Sequence, residues 1–97
     1  MTTIASIKAT VSRFYEVPLR EMTSQRRERS AAHARQVGMY LARELTPHSL
    51  PVIGREFGRR DHTTVIHGIK AVEGRMRQPE VRLAIEGLRS LFQVERE

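Results

Sequence analysis

Four consecutive residues, Asp61-His62-Thr63-Thr64, gather side chains able to read hydrogen-bonding edges. A carboxylate accepts from the cytosine amino group, threonine offers a hydroxyl and a methyl that can meet the thymine methyl, and imidazole donates or accepts. A plainer reading has Asp61 capping a helix and the threonines filling a polar first turn, and spacing alone leaves both open. Other constellations carry less chemistry. His62 and His67 stand five apart, on different helical faces, with no ligand cluster around them, so a metal site is not expected. His48-Ser49 places a base beside a nucleophile, but nothing supplies a third orienting group or an oxyanion hole. No glycine-rich loop leads into Lys and then Ser or Thr, the arrangement that cradles nucleotide phosphates. Neither catalysis, nor a nucleotide, nor a cofactor is expected.

For the four polar residues to act together they must open a helix, and the apolar pattern supplies one. Val65, Ile69, Val72 and Met76 recur at helical spacing behind the cap Asp61, which predicts a helix to about Arg77. Ahead of it, Ser49 is a cap, Pro51 is tolerated in a first turn, and Leu50, Ile53 and Phe57 form a short apolar face that stops at Gly58. Residues 49–77 therefore read as a helix-turn-helix, in which the first helix braces a second that enters a major groove. Around this unit Ile4, Ile7, Val11 and Phe14 mark a first helix to about Tyr15. Pro18 permits only a short helical start, with Leu19 and Met22 as its apolar contacts. Ser30 reads as the N-cap of a central helix on which Val37, Leu41 and Leu45 share a stripe, ending near Thr46-Pro47. Pro79 opens a last amphipathic helix carrying Val81, Ile85, Leu88 and Phe92. No segment alternates with period two, so the expected class is all-α, one domain over residues 1–97.

Charge names the class of partner. The net charge of +6 is concentrated, since residues 20–60 hold nine Arg against four Glu, and fifteen of the seventeen cations are Arg. A local excess of this sign fits a polyanion, and the planar guanidinium pairs with phosphate or guanine and enters minor grooves. Thr23 to Arg29 lacks periodicity and holds three Arg, an exposed basic loop. No stretch approaches the apolar length of a membrane span, and there is no signal-peptide pattern, so a cytoplasmic, nucleoid-associated protein is expected with no membrane partner. The absence of Cys excludes disulfides and thiolate zinc.

The run Gly58-Arg59-Arg60-Asp61-His62-Thr63-Thr64-Val65 closely resembles the signature of the C-terminal DNA-binding domain of DnaA, the bacterial chromosomal replication initiator. The likeness extends through Arg26-Arg27, Arg29-Ser30, Arg35-Gln36, Ala42-Arg43-Glu44-Leu45-Thr46, His48-Ser49-Leu50-Pro51 and Ile53-Gly54, and covers nearly all of Ile4 to Phe92. It implies a six-helix, Trp-repressor-like fold and a short A/T-rich DnaA box in double-stranded DNA. It also implies base contacts from Asp61, His62 and Thr63 in the major groove, with Thr64 and Pro51 close beside them, and from Arg27 in the minor groove. Phosphates would fall to Arg29, Arg35, Gln36, Leu50 and Lys70, with Thr64 beside them, and Arg59, outside the family pattern, is expected to add a further phosphate contact.

This sequence departs from the family pattern in ways that bear on affinity. Gln25 replaces a usual cation, Glu28 puts an acid in the basic loop, and His33-Ala34 replaces a common Arg-Pro, which together imply weaker phosphate contact. Arg59, where Gly is usual, adds a cation beside the recognition helix. The Walker motifs of a complete initiator are missing, so either an excised domain or a free-standing regulator acting at origins or promoters is expected. It would bind one asymmetric box as a monomer. A contrasting expectation is a nonspecific binder or protein-interaction module, motivated by Gln25 and Glu28.

Overall fold

A computed structural model describes residues 2–26 and 28–96, and for 93–96 the backbone alone. Its described residues form helices and connecting turns without a strand: α1 (Ile4–Tyr15), a four-residue 3-10 turn (Leu19–Met22), α2 (Arg29–Leu45), α3 (Leu50–Glu56), α4 (His62–Arg75) and α5 (Pro79–Arg96). The all-α expectation holds, with five α-helices. The sixth helical piece is the single 3-10 turn, because Pro18 fixes its own φ and the chain unwinds at Thr23.

Local sequence fixes most helix ends. Thr3 and Ser6 exchange backbone-to-hydroxyl bonds at 3.0 Å, a reciprocal cap on α1. At its other end Glu16 turns left-handed, with φ 55°, so that Val17 N–H reaches Ser12 O. Thr46 closes α2 by donating its hydroxyl to Ala42 O, 2.6 Å away. One expected cap is corrected: α2 is preceded by Glu28, not Ser30, which lies in the first turn, and no side chain of Glu28 caps it.

The core is built around α2, which packs against α1, α3, α4 and the 3-10 turn. Ile7, Val11, Met22, Val37, Leu41, Ile53, Phe57, Val65, Val72, Ile85 and Leu88 are fully buried there. At about 25 cal/mol per Å² of apolar surface removed from water, each such side chain contributes roughly 1.5–3 kcal/mol. Helix α4 crosses α2 at Gly68, where an added Cβ would stand 3.1 Å from Met39 and 3.4 Å from Gln36. Two expected core residues are corrected. Phe14 is 46% exposed and Leu19 56% exposed. Phe14 follows Val11 by one helical turn, but it sits where α1 is ending and packs edge-on against Tyr15. Leu19 heads the 3-10 turn, whose inward position falls to Met22.

Candidate nucleic-acid interface

The turn between α3 and α4 is tight because two residues give up their side-chain space. Arg60 N–H donates to Gly54 O at 2.8 Å, and a Cβ on Gly54 would come within 2.1 Å of Arg60 O. Gly58 adopts φ +93°, and a Cβ there would stand 2.3 Å from Thr23 O. Val65 and Ile53 then bury between the two helices, which fixes which side of α4 faces outward.

The outward side carries Asp61, His62, Thr63 and Thr64, all exposed. Asp61 is the N-cap: its Oδ1 accepts from Thr63 N–H at 3.3 Å and from His62 Nδ1 at 2.9 Å. Capping is therefore real, and the Asp61–His62 contact, exposed on both sides, adds little by itself. Beside this turn, Pro51 is exposed and Leu50 half-buried in the first turn of α3, behind the cap Ser49. Arg59 is exposed with φ 59°, a left-handed conformation that costs a non-glycine residue about 1 kcal/mol or more.

The basic loop preceding α2 is fastened to this turn by groups that sequence reading left without a role. Gln25 Nε2 donates to Gly58 O at 2.9 Å. Arg60 donates to Phe57 O and, through Nη2, to Ser24 O at 2.5 Å. From beneath, Arg35 donates to Glu21 O at 2.7 Å and Arg26 O at 2.5 Å. Its side chain is only 5% exposed, so the structure places this expected phosphate ligand inside the domain as a loop anchor. Burial lowers the pKa of Arg35, against a raising influence from Glu21, and burial followed by the nearby Arg35 lowers that of Arg60. Both stay charged, as arginine does in proteins. Two guanidiniums thus lie close beneath the loop, with their hydrogen bonds spent on carbonyls.

The remaining expected contacts are distributed along the same helices. Arg29 and Lys70 are exposed, and Gln36 is half-buried with Oε1 accepting from Arg75 at 2.7 Å. Arg27, expected in the minor groove, lies outside the described residues. Gln25 and Arg60 escaped sequence reading because their partners are 33 and 36 residues away. The only local signal was the position of Arg60 just before the Asp61 cap.

A family model described as the bacterial dnaA protein helix-turn-helix matches residues 4–72. Among curated proteins, the chromosomal replication initiator protein DnaA of Cereibacter sphaeroides is 51% identical over 71 residues, which make up 73% of this chain and 16% of that protein. The chromosomal replication initiator protein DnaA of Francisella tularensis subsp. novicida is 52% identical over 69 residues, 71% of this chain and 14% of that protein. The matched segment is about a sixth or less of either relative's length. Helix α5 lies beyond the family match. No helix among the described residues is long and apolar enough to cross a membrane.

Proposed function

Because this chain belongs to the bacterial DnaA helix-turn-helix family, a DNA-binding domain rather than a catalytic one, we propose that it reads a DnaA-box-like sequence in double-stranded DNA. The observation that carries this reading is the row of exposed polar side chains at the head of α4, held beside a basic loop by the carbonyl-bound Arg60 and Gln25. In this reading the first turn of α4 enters the major groove, where Asp61, His62 and Thr63 meet base edges with Pro51 and Thr64 alongside. Arg27 reaches the neighbouring minor groove. Arg29, Gln36, Leu50 through its amide, Arg59, Thr64 and Lys70 hold phosphates, while Arg35 sets the loop from inside.

Base-edge contacts supply discrimination and phosphate contacts supply register and most of the salt-dependent affinity. A single module suffices for one asymmetric box, so the protein acts as a monomer. Bound alone, it occupies boxes at an origin or promoter and competes there with a complete initiator. The test is fluorescence-anisotropy titration of a labelled DnaA-box duplex and a scrambled duplex of equal composition across a salt series. The parent should prefer the box, and Thr63→Ala should lose about 1–3 kcal/mol of that preference while leaving scrambled binding unchanged. Equal affinity for both duplexes would overturn box recognition.

A further inference from the structure

Where α4 ends, Arg75 folds back onto α2 instead of extending into solvent. Its Nη1 donates to Gln36 Oε1 at 2.7 Å and meets His33 Nδ1 at 2.9 Å. Arginine has donors only, so it dictates the state of both partners. Gln36 must turn its amide oxygen to Arg75, which leaves its NH2 free to donate. His33 must offer a lone pair at Nδ1, which leaves the proton on Nε2. The imidazole is therefore neutral in this contact, in keeping with burial and then the Arg75 charge lowering its pKa.

The surroundings repeat this donor-rich pattern. Arg29, Ala32, His33 and Gln36 share a single face of α2, each three or four residues from two of the others. With Arg75 they line an open groove of about 460 Å³, and none of the lining side chains is a carboxylate. Gln36 also lies where α4 crosses α2 at Gly68, so the groove adjoins the helix that opens with Asp61-His62-Thr63. Two arginines, a glutamine amide and a neutral imidazole lining one open groove suit an anion with several acceptor oxygens.

We propose that this groove seats one DNA backbone phosphate, with Arg75 both contacting it and orienting the Gln36 amide towards it. The inference rests on the DNA-binding reading and extends it to a residue beyond the matched segment. Arg75 then carries no sequence information. It adds one released counterion and lengthens the footprint along the backbone.

The test titrates the box duplex and the scrambled duplex with the parent, Arg75→Gln, Gln36→Ala and the double variant across a salt series. Arg75→Gln should weaken both duplexes by the same factor, roughly threefold to tenfold, and lower the slope of log affinity against log salt by about one. The ratio of box to scrambled affinity should stay at the parent value. Because both residues serve one phosphate, the double variant should bind about as weakly as the weaker single variant. Arg75→Met, which keeps the stem that packs on α2, serves if the glutamine variant does not fold. Unchanged affinity and salt slope would overturn the phosphate seat, and so would a loss of box preference with the slope intact. A parent that binds neither duplex would instead overturn the DNA reading itself. A parent that prefers the box, with Arg75→Gln indistinguishable from it, would overturn this inference alone.

Discussion

Two regions along α2 handle arginine in opposite ways. Towards α3 and α4, Arg35 and Arg60 give their hydrogen bonds to main-chain carbonyls of the basic loop and the turn, and Arg75 gives its own to a neutral amide and a neutral imidazole. Towards α5, Arg89 meets Glu44 through two bonds of 2.7 Å and adds Tyr40 Oη at 2.9 Å. That pairing raises the pKa of Arg89, with the Glu44 hydrogen bond the leading cause. Carbonyl partners satisfy donors without cancelling charge, whereas a carboxylate does both. The first arrangement thus keeps its positive charge, and the second is neutralised. A surface that must attract a polyanion needs the first solution, because pairing each structural arginine with an acid would erase the field that draws DNA in.

The largest effect that tests this contrast is expected at Arg60. Arg60→Leu leaves Phe57 O and Ser24 O without their donor and frees the loop from the turn, although it also relieves the repulsion with Arg35. The net loss should be about 2 kcal/mol of stability in urea unfolding. On the proposed DNA reading, box affinity should fall further than scrambled affinity, because the basic loop and the head of α4 no longer hold a fixed relation. A variant as stable and as selective as the parent would show that the carbonyl contacts neither fasten the loop nor set its aim.

What was legible beforehand follows the range of the interaction. The caps Ser49 and Asp61, the stop at Gly58 and the stripes of α4 and α5 depend on neighbours within a turn or two, so residue types reveal them. Exposure of the Asp61 to Thr64 row follows from the same stripe. The misplacements are of another kind. Val11 and Phe14 share one stripe, yet Phe14 is left uncovered where α1 is ending. The site shows the same division. Arg29 and Arg35 both lie in the first half of α2, yet Arg35 points inward because the carbonyls of Glu21 and Arg26 lie there. Gln25 reads as a lost cation in the sequence and proves to be a tie to Gly58.

The paired region should answer more mildly. Glu44→Gln removes the carboxylate but leaves Arg89 an amide oxygen and Tyr40 Oη as partners. Both partners of the ion pair are about a third exposed, so the loss should be about 0.5–1 kcal/mol at low salt and should fade near 1 M salt. Box and scrambled affinities should both stay within about twofold of the parent, because Glu44 and Arg89 bond to each other and to Tyr40, not to the head of α4 or the described part of the basic loop. If Glu44→Gln matched Arg60→Leu in its effect on DNA selectivity, the two regions would be one network and the contrast would collapse.

The smallest effect is a slope against pH, and it tests the neutral partner of Arg75. Around His33 stand Tyr15 from α1, Arg29 and Gln36 from α2, Arg75 from α4 and Glu80 from α5. Burial, followed by the Arg75 charge, lowers the His33 pKa below its ordinary value of 6.5. Between the folded pKa and 6.5 the unfolded chain binds the more protons, so stability rises with pH across that window. The His33 contribution is fully present above the unfolded value and is lost as pH falls through the folded one. Urea unfolding in steps from pH 7.5 to 5 should show this decline, and His33→Asn, whose amide oxygen also accepts from Arg75, should flatten it. Glu44→Gln should leave that part of the profile untouched, since no imidazole lies between Glu44 and Arg89. An unchanged decline in His33→Asn would mean that Arg75 does not hold its partner neutral, and the charge in this region of α2 would then need another explanation.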